Sequence, residues 1–312
     1  MKRQHLGIYL ISSMLVLLGL FVAQDQKWVG GAQAPSRPDR LREQVAAIVS
    51  GKDSSERAMA ITRQLSALNL AYEKQSFETQ TRTGTNIVVD LVGNGHGTIM
   101  VGAHYDRVAF GEGAVDNAAS CAMLLELLRT ISKSPLKNRS LRAAFFDLEE
   151  LGLLGSKAYV ESLAKSNLPN AYLNFDIFAY GDTLYVLAPR QDAPLAKSMR
   201  QAADELKFPV RLEPKYPPSD HLSFMHAGVP TLGVSLIDGP EIDGVIQVIS
   251  GGRGQGNSGK RPRIFEIIHT PNDKLDKVDP AAIDRALPII ERTLRQVDED
   301  LPVPDSPQKT AA

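Results

Sequence analysis

The stretch TIMVGAHYD (residues 98–106) decides the fold, because it is an apolar run that ends abruptly in His104 and Asp106. A run that is apolar at every position is typical of a central strand that is covered on both faces. Such strands belong to sheets that have helices on both sides. Ligands of these sheets collect beyond the carboxyl ends of the strands, so His104 is a candidate functional residue.

The segments on either side of this strand alternate between strand-like and helical patterns. This alternation predicts a mixed or mostly parallel sheet with helices on both faces. No break inside residues 39–301 indicates a second domain, and Ser54 is the predicted N-cap of the second helix. The other predicted strands are 71–77, 86–91, 140–146, 171–178, 183–187 and 230–236, and the helices are 39–49, 54–68, 115–131, 153–163, 193–206 and 280–297.

Composition and charge exclude some classes of function. The chain has 312 residues and a formal net charge of -1, which argues against a general nucleic-acid binder. Its single cysteine, Cys121, excludes an intrachain disulfide. The apolar neighbours of Cys121 predict a small buried core residue rather than a nucleophile.

The N-terminal residues predict export. Lys2 and Arg3 precede an uncharged apolar run at residues 6–23, so the rest of the chain is expected in the periplasm or the extracellular space. Whether the run is cleaved or stays in the membrane as an anchor is left open by its length. The predicted divisions are a signal peptide or membrane anchor at 1–23, a linker at 24–38, one domain at 39–301 and a flexible tail at 302–312.

Acids and histidines that follow apolar runs form the candidate site. Taken singly, they have ordinary explanations: a helix cap, an acidic helix N-terminus or a structural histidine. Taken together, they supply ligands for two metal ions and one spare carboxylate for proton transfer, which points to metal-assisted hydrolysis. The set is His104, Asp106, Asp116, Glu149, Glu150, Asp176 and His269. A second cluster, Asp220 with His221, is compatible with a helix cap or with the wall of a substrate cleft.

The order of the motifs resembles a known family. The motifs are HYD (104–106), GAVDNAAS (113–120), FFDLEELGLLGS (145–156), NFD (174–176), SDH (219–221) with GVP (228–230), and IHT (268–270) with the following Asp273. In this order they resemble the bizinc aminopeptidases, which include secreted bacterial leucine-type enzymes and whose fold the glutaminyl cyclases share. The resemblance covers about residues 86–279. It implies a three-layer α/β/α sandwich around a mixed, mostly parallel eight-stranded sheet, the phosphorylase/hydrolase-like fold of zinc exopeptidases.

The resemblance also implies two zinc ions. His104 and Asp176 would bind one ion, Glu150 and His269 would bind the other, and Asp116 would bridge both. Two divalent ions would compensate the charge of carboxylates that are otherwise costly to place together. The domain at 39–301 would then be the catalytic domain of a zinc peptidase.

The remaining residues receive supporting roles by the same resemblance. Glu149 would be the general base, Asp106 would orient His104, and the peptide bond between Asp116 and Asn117 would be cis. One departure concerns a tyrosine near the last histidine, which helps to stabilise the oxyanion in several family aminopeptidases. Ile268 stands beside the histidine here, and Tyr216 and His221 are candidate substitutes.

The leading interpretation is an exported zinc aminopeptidase or related dipeptidase that acts on peptides with a free N-terminus. One alternative is a glutaminyl-peptide cyclotransferase, which the segment CAMLLEL (121–127) favours. Another is a non-catalytic binding module on a peptidase scaffold. The Gly-rich basic segment 251–263 is predicted to be a surface loop near the site.

Overall fold

The computed structural model describes residues 34–93, 95–251 and 261–302. The predicted targeting segment, most of the predicted linker and all but the first residue of the predicted tail lie outside the described residues. So does most of the predicted surface loop, at residues 252–260. Within the described part of the chain, no helix has the length and apolar character needed to cross a membrane.

One mixed sheet organises the described residues. Its strands are β1 (Glu73–Glu78), β2 (Thr83–Leu91), β3 (Thr98–His104), β4 (Ser140–Phe146), β5 (Ala171–Phe178), β6 (Thr183–Leu187), β7 (Val210–Glu213) and β8 (Thr231–Ile237). They lie in the order β1-β2-β4-β3-β5-β8-β6-β7. The central strands β4, β3, β5 and β8 are parallel, whereas β1–β2, β2–β4 and β6–β8 are antiparallel pairs. The predicted eight-stranded, mostly parallel sheet is confirmed.

Helices cover both faces of this sheet. They are α1 (Arg37–Val49), α2 (Ser54–Ala67), α3 (Ala119–Ile131), α4 (Leu154–Ser162), α5 (Pro194–Glu205), α6 (His221–His226), α7 (Ile242–Ile249), α8 (Ile264–Ile267) and α9 (Pro280–Asp300). The larger apolar core includes residues of α1, α2, α3, α5 and α9. A smaller aromatic core lies under α4 and α6, where the Tyr172 and Phe224 rings stack at 3.7 Å. The two cores confirm the predicted three-layer sandwich.

Short elements are the ones that the sequence pattern missed. Strand β7 has four residues and lies at the edge of the sheet, where it pairs only with β6 among the described strands. A strand this short shows little alternation of apolar and polar residues. Helices α6 and α8 have six and four residues, too few to show a helical period. Helix α7, with eight residues, was missed as well. The predicted N-cap Ser54 is wrong, because Asp53 caps α2 by accepting the N–H of Glu56 at 2.9 Å.

Candidate metal centre

Two groups of candidate ligand atoms meet beyond the carboxyl ends of β3, β4 and β5, and they share Asp116. In the inner group, His104 Nε2 lies 3.2 Å from Asp116 Oδ1 and 3.6 Å from Asp176 Oδ1. In the outer group, His269 Nε2 lies 3.1 Å from Asp116 Oδ2 and 3.1 Å from Glu150 Oε2. Within each group the ligand atoms lie within 4.8 Å of one another. The fold therefore brings together all the residues predicted as metal ligands.

His104 is fixed on both sides by the central sheet. It ends β3, whose neighbours are β4 and β5, and its side chain is 1% exposed. Its Nδ1 lies 3.2 Å from Asp106 Oδ1, and the Asp106 carboxylate also accepts the backbone N–H groups of Glu149 and Glu150 at 3.0 and 3.1 Å. Asp106 therefore joins the imidazole to the turn after β4, which is the kind of contact that supports metal-binding histidines in proteins, and its role here stays a prediction.

Cys121 packs behind the same histidine. It is fully buried, and its Sγ donates to the backbone carbonyl of His104 at 3.1 Å. Burial raises the pKa of the Cys121 thiol to about 12. The prediction of a buried core cysteine is confirmed.

Asp116 lies in a turn where the sequence pattern predicted a helix. The predicted helix 115–131 is wrong at its start, because α3 begins at Ala119 after a π-helical turn at Ala114–Ala118. The peptide bond between Asp116 and Asn117 is cis, as the resemblance implies. Asn117 ties this turn to β5 by donating to Phe175 O at 3.0 Å and accepting the N–H of Ile177 at 3.2 Å. With the turn held to β5 by these two hydrogen bonds, the Asp116 side chain lies between the two imidazoles and does not act as a helix cap.

Glu149 lies beside the two groups that share Asp116, and with His104 and Glu150 it forms a third group of possible ligand atoms. Its Oε2 lies 4.0 Å from His104 Nε2, and its side chain is 11% exposed. Burial raises the pKa of Glu149 to about 10, and the nearby carboxylates of Asp220 and Asp176 add to the rise. Its role as a proton acceptor stays a prediction.

The electrostatics of the centre favour positive charge. Burial lowers the pKa of His104, but the surrounding carboxylates, Glu149 first, hold it well above its usual value. Hydrogen bonds to Asp116 and Glu150 raise the pKa of His269 to about 10. Burial acts to raise the pKa of Asp116, but its bonds to the two imidazoles lower it below the usual range. The carboxylates that raise the pKa values of the two histidines create a negative potential, and the same potential would stabilise a cation placed among them.

The donor set fits zinc. Imidazole nitrogens and carboxylate oxygens are ligands that zinc takes in proteins. Two buried oxygens of the groups, Glu150 Oε1 and Asp176 Oδ1, have no hydrogen-bond partner among the described residues. Buried carboxylate oxygens without partners are costly, and a bound cation would satisfy them.

Asp220 and His221 lie nearby but deeply buried, at 0% and 1% exposure. They begin α6, yet the Asp220 side chain makes no cap hydrogen bond, which contradicts the helix-cap alternative. Both Asp220 oxygens and His221 Nδ1 lack partners among the described residues. Burial raises the pKa of Asp220 to about 7 and lowers that of His221 to about 4. A contact with substrate stays a prediction.

Two residues hold the turn of Asp116, and the sequence marked only one of them, Asp273, as the acid that follows the last motif. Arg57 of α2 donates to backbone carbonyls before this turn, and Asp273 accepts three of its N–H groups. For Asp273, the signal was present as the acid four residues after His269. Nothing in the sequence around Arg57 distinguishes it from the other arginines of the amphipathic helices.

Comparison with known proteins adds a family and several relatives. The model of "Peptidase family M28" matches residues 86–294. Leupeptin-inactivating enzyme 1 of Streptomyces exfoliatus is 28% identical over 246 residues, 77% of this chain and 54% of that protein. Aminopeptidase YwaD of Bacillus subtilis is 34% identical over 138 residues, 42% of this chain and 30% of that protein. The probable lipoprotein aminopeptidase LpqL of Mycobacterium tuberculosis is 37% identical over 120 residues, 38% of this chain and 22% of that protein. The chain spans about half the length, or less, of these relatives.

Solved structures share the fold. BSAP, a zinc aminopeptidase from Bacillus subtilis, has a TM-score of 0.58 and 25% identity over 70% of this chain and 51% of that one. A glutaminyl cyclase from an Acidobacteriales bacterium has a TM-score of 0.65 and 18% identity over 86% of this chain and 98% of that one. Both likenesses agree with the α/β/α sandwich described above.

Proposed function

Because the chain belongs to peptidase family M28, we propose that it is a zinc-dependent aminopeptidase that removes the N-terminal residue from peptides. The observation that carries the proposal is the shared carboxylate of Asp116, which faces His104 at 3.2 Å and His269 at 3.1 Å. A carboxylate between two imidazoles, with further acids around it, is suited to two cations. Relatives named as aminopeptidases support the reaction class.

In this proposal each group holds one ion. His104 and Asp176 would hold the inner zinc, Glu150 and His269 would hold the outer zinc, and Asp116 would offer a carboxylate oxygen to each group. Bound zinc supplies Lewis acidity, which polarises a carbonyl oxygen and makes water a stronger acid near neutral pH. Asp106 keeps the His104 imidazole aimed at its ion through the bond to Nδ1.

Glu149 acts as the general base. Its carboxylate, 4.0 Å from His104 Nε2, is close enough to the ligand groups to accept a proton from the attacking water. Cations held beside it would favour its ionised form and so offset the burial that raises its pKa. It then carries that proton to the nitrogen of the leaving amine, so one side chain serves first as base and then as acid. The clustered carboxylates also attract the ammonium of a free N-terminus, which restricts the enzyme to exopeptidase action.

The inner wall of the substrate cleft is assigned to Asp220 and His221. Of the two candidate substitutes for the missing tyrosine, Tyr216 is already bonded to Ser235 Oγ at 2.6 Å. His221 Nδ1 has no partner among the described residues. This difference favours His221 as the group that contacts the oxyanion.

Export is part of the proposal. Lys2, Arg3 and the apolar run at 6–23 are suited to a signal peptide or to an uncleaved anchor that keeps the catalytic domain at the membrane. The Mycobacterium tuberculosis relative is named a probable lipoprotein, which agrees with an exported enzyme. Periplasmic or extracellular peptides with free N-termini are the proposed substrates.

A glutaminyl-peptide cyclotransferase is the second candidate. The observation in its favour is the segment CAMLLEL (121–127), which follows the turn of Asp116, and a solved glutaminyl cyclase shares the fold. A cyclase closes the N-terminal glutamine on itself and releases ammonia, so it needs no attacking water. Incubation with a Gln-initiated peptide separates the two candidates. Release of free glutamine supports the peptidase, and pyroglutamyl peptide without release of the first residue overturns it.

The test of the base is Glu149→Gln. We expect release of the N-terminal residue to fall by about 10²- to 10⁴-fold, the usual contribution of general base catalysis, while zinc per protein is unchanged. Glu161→Gln, an exposed acid on α4, is the matched control with normal activity. Normal turnover by the Glu149 variant would remove the proposed base. Full activity of wild type after complete zinc removal by a chelator would overturn the metal mechanism.

A further inference from the structure

A buried guanidinium fastens the loop that joins His104 to Asp116. Arg57 lies on α2, before the matched family region begins at residue 86, and it is 0% exposed. Its Nε donates to the carbonyl of Tyr105, its Nη1 to Glu112 O at 2.9 Å and its Nη2 to Gly113 O at 3.0 Å. Both ends of the loop 105–113 are therefore tied to one planar group.

Asp273 holds the other side of the same turn. Its Oδ1 accepts the N–H groups of Ala114 and Val115 at 2.8 and 2.7 Å, and its Oδ2 accepts the N–H of Asp116 at 3.2 Å. The peptide between Gly113 and Ala114 thus lies between opposite charges. Its carbonyl accepts from Arg57, and its N–H donates to Asp273.

This arrangement fixes the position of Asp116 more firmly than neutral contacts would. Hydrogen bonds to charged groups are about twice as strong as those between neutral groups. Two buried charges are costly unless each is hydrogen-bonded, and here the backbone of one turn serves both. Asp116 lies three residues beyond the held carbonyl of Gly113, so a shift of the turn would move its carboxylate relative to both imidazoles.

We propose that Arg57 and Asp273 are positioning residues for zinc: they set where Asp116 stands between the two histidines and thereby raise the zinc affinity. The inference rests on the proposed zinc site. Its test reads metal binding rather than hydrolysis, so a failure of the proposed peptidase reaction is distinguishable from a failure of this inference.

Arg139 offers a matched control. It is also 0% exposed and also donates to backbone carbonyls, to Asp298 O at 2.8 Å and Leu301 O at 2.9 Å. These contacts tie the start of β4 to the end of α9, at the opposite end of β4 from Glu149. A variant of Arg139 therefore loses a comparable buried guanidinium without disturbing the turn of Asp116.

The experiment compares Arg57→Lys with Arg139→Lys in the full chain. Lysine keeps the charge but loses the fork that reaches three carbonyls. Zinc affinity is measured on chelator-treated protein by competition with a chromophoric chelator, and the Tm is measured without zinc. We expect the zinc affinity of Arg57→Lys to fall by about 10- to 100-fold, the range for lost support of a metal ligand. Arg139→Lys is expected to bind zinc like wild type, although both variants lower the Tm.

Wild-type zinc affinity in a folded Arg57→Lys variant would make Arg57 a structural residue and overturn the proposal. If this variant does not fold, Asp273→Asn carries the test, because it keeps the size and one acceptor oxygen but loses the charge. Its control is Asp298→Asn, an acid 2% exposed that likewise accepts backbone N–H groups, at 2.8 and 3.0 Å. Weaker zinc binding by Asp273→Asn alone supports the proposal, and equal binding by both variants overturns it.

Discussion

The inner and outer ligand groups share Asp116 but are held in different ways. His104 ends a central strand, its side chain is 1% exposed, and its Nδ1 is bonded to Asp106. His269 follows the short helix α8, has a φ of 57°, and has a side chain that is 53% exposed. The sheet therefore fixes the inner histidine, whereas the outer histidine depends on contacts that its own segment makes.

This difference has a consequence for metal binding. A ligand that is already oriented loses less conformational freedom when it binds an ion. We therefore expect the inner group to hold its zinc more tightly than the outer group. Three substitutions test this difference. Asp116→Asn changes the shared residue, Asp106→Asn removes a contact that orients the inner group, and Glu241→Gln changes a contact that holds the segment of the outer group.

Asp116→Asn is expected to have the largest effect, because it alters the one residue common to both groups. An amide offers a single oxygen, so one ion would face an NH₂ group instead of a carboxylate oxygen. We expect kcat/KM for release of an N-terminal residue to fall by at least about 1000-fold, or about 4 kcal/mol of transition-state stabilisation. Zinc per protein is measured on the same samples.

The control for this variant is Asp298→Asn, which replaces an acid as buried as Asp116 at a distant site. If the loss of a buried negative charge does not by itself weaken zinc binding, this control variant should keep both zinc ions. Binding of one zinc with wild-type affinity by Asp116→Asn would show that the two groups do not depend on a shared carboxylate.

The inner group was the part that the sequence predicted best, for a physical reason. An apolar central strand has a recognisable pattern, and the residue at its carboxyl end must lie at the sheet edge, so His104 could be located. His269 follows a four-residue helix that carries no periodicity, and only the motif order marked it. Arg57 could not be found at all, because its function depends on carbonyls about 50 residues away in sequence. The carbonyl acceptors of a side chain leave no trace in composition or spacing.

Asp106→Asn is expected to weaken the inner group more than the outer group, because Asp106 contacts the side chain of His104 but only the backbone N–H of Glu150. The amide cannot match a carboxylate that bonds His104 Nδ1 and accepts two backbone N–H groups at 3.0 and 3.1 Å. We expect the affinity for the tighter zinc to fall by about 10- to 100-fold. Stepwise zinc titration of chelator-treated protein reports the two affinities separately.

Asp147→Asn is the matched control for Asp106→Asn. Asp147 is 5% exposed and accepts backbone N–H groups of Thr85 and Leu148 at 3.1 and 2.9 Å, but it bonds to no candidate ligand. It should leave both zinc affinities near wild type. In the Asp106 variant, a larger fall in the weaker zinc affinity than in the tighter one would reverse the assignment of inner and outer groups.

The smallest effect is expected at the support of the outer group, where Glu241 Oε2 accepts the N–H of Ile264 at 2.8 Å and so holds the start of α8. Burial raises the pKa of Glu241 from 4.5 to about 7. The stabilisation that comes with its proton is complete below about pH 4.5 and is lost as pH rises through about 7. Glu241→Gln cannot ionise and keeps an acceptor, so its Tm at pH 8 should exceed that of wild type by a few degrees, about 1 kcal/mol or less for this partly exposed group. At pH 4 the two Tm values should agree. If the Tm of the variant exceeded that of wild type by the same amount at both pH values, packing would explain the higher Tm. The charge of ionised Glu241 would then not weaken the segment before His269.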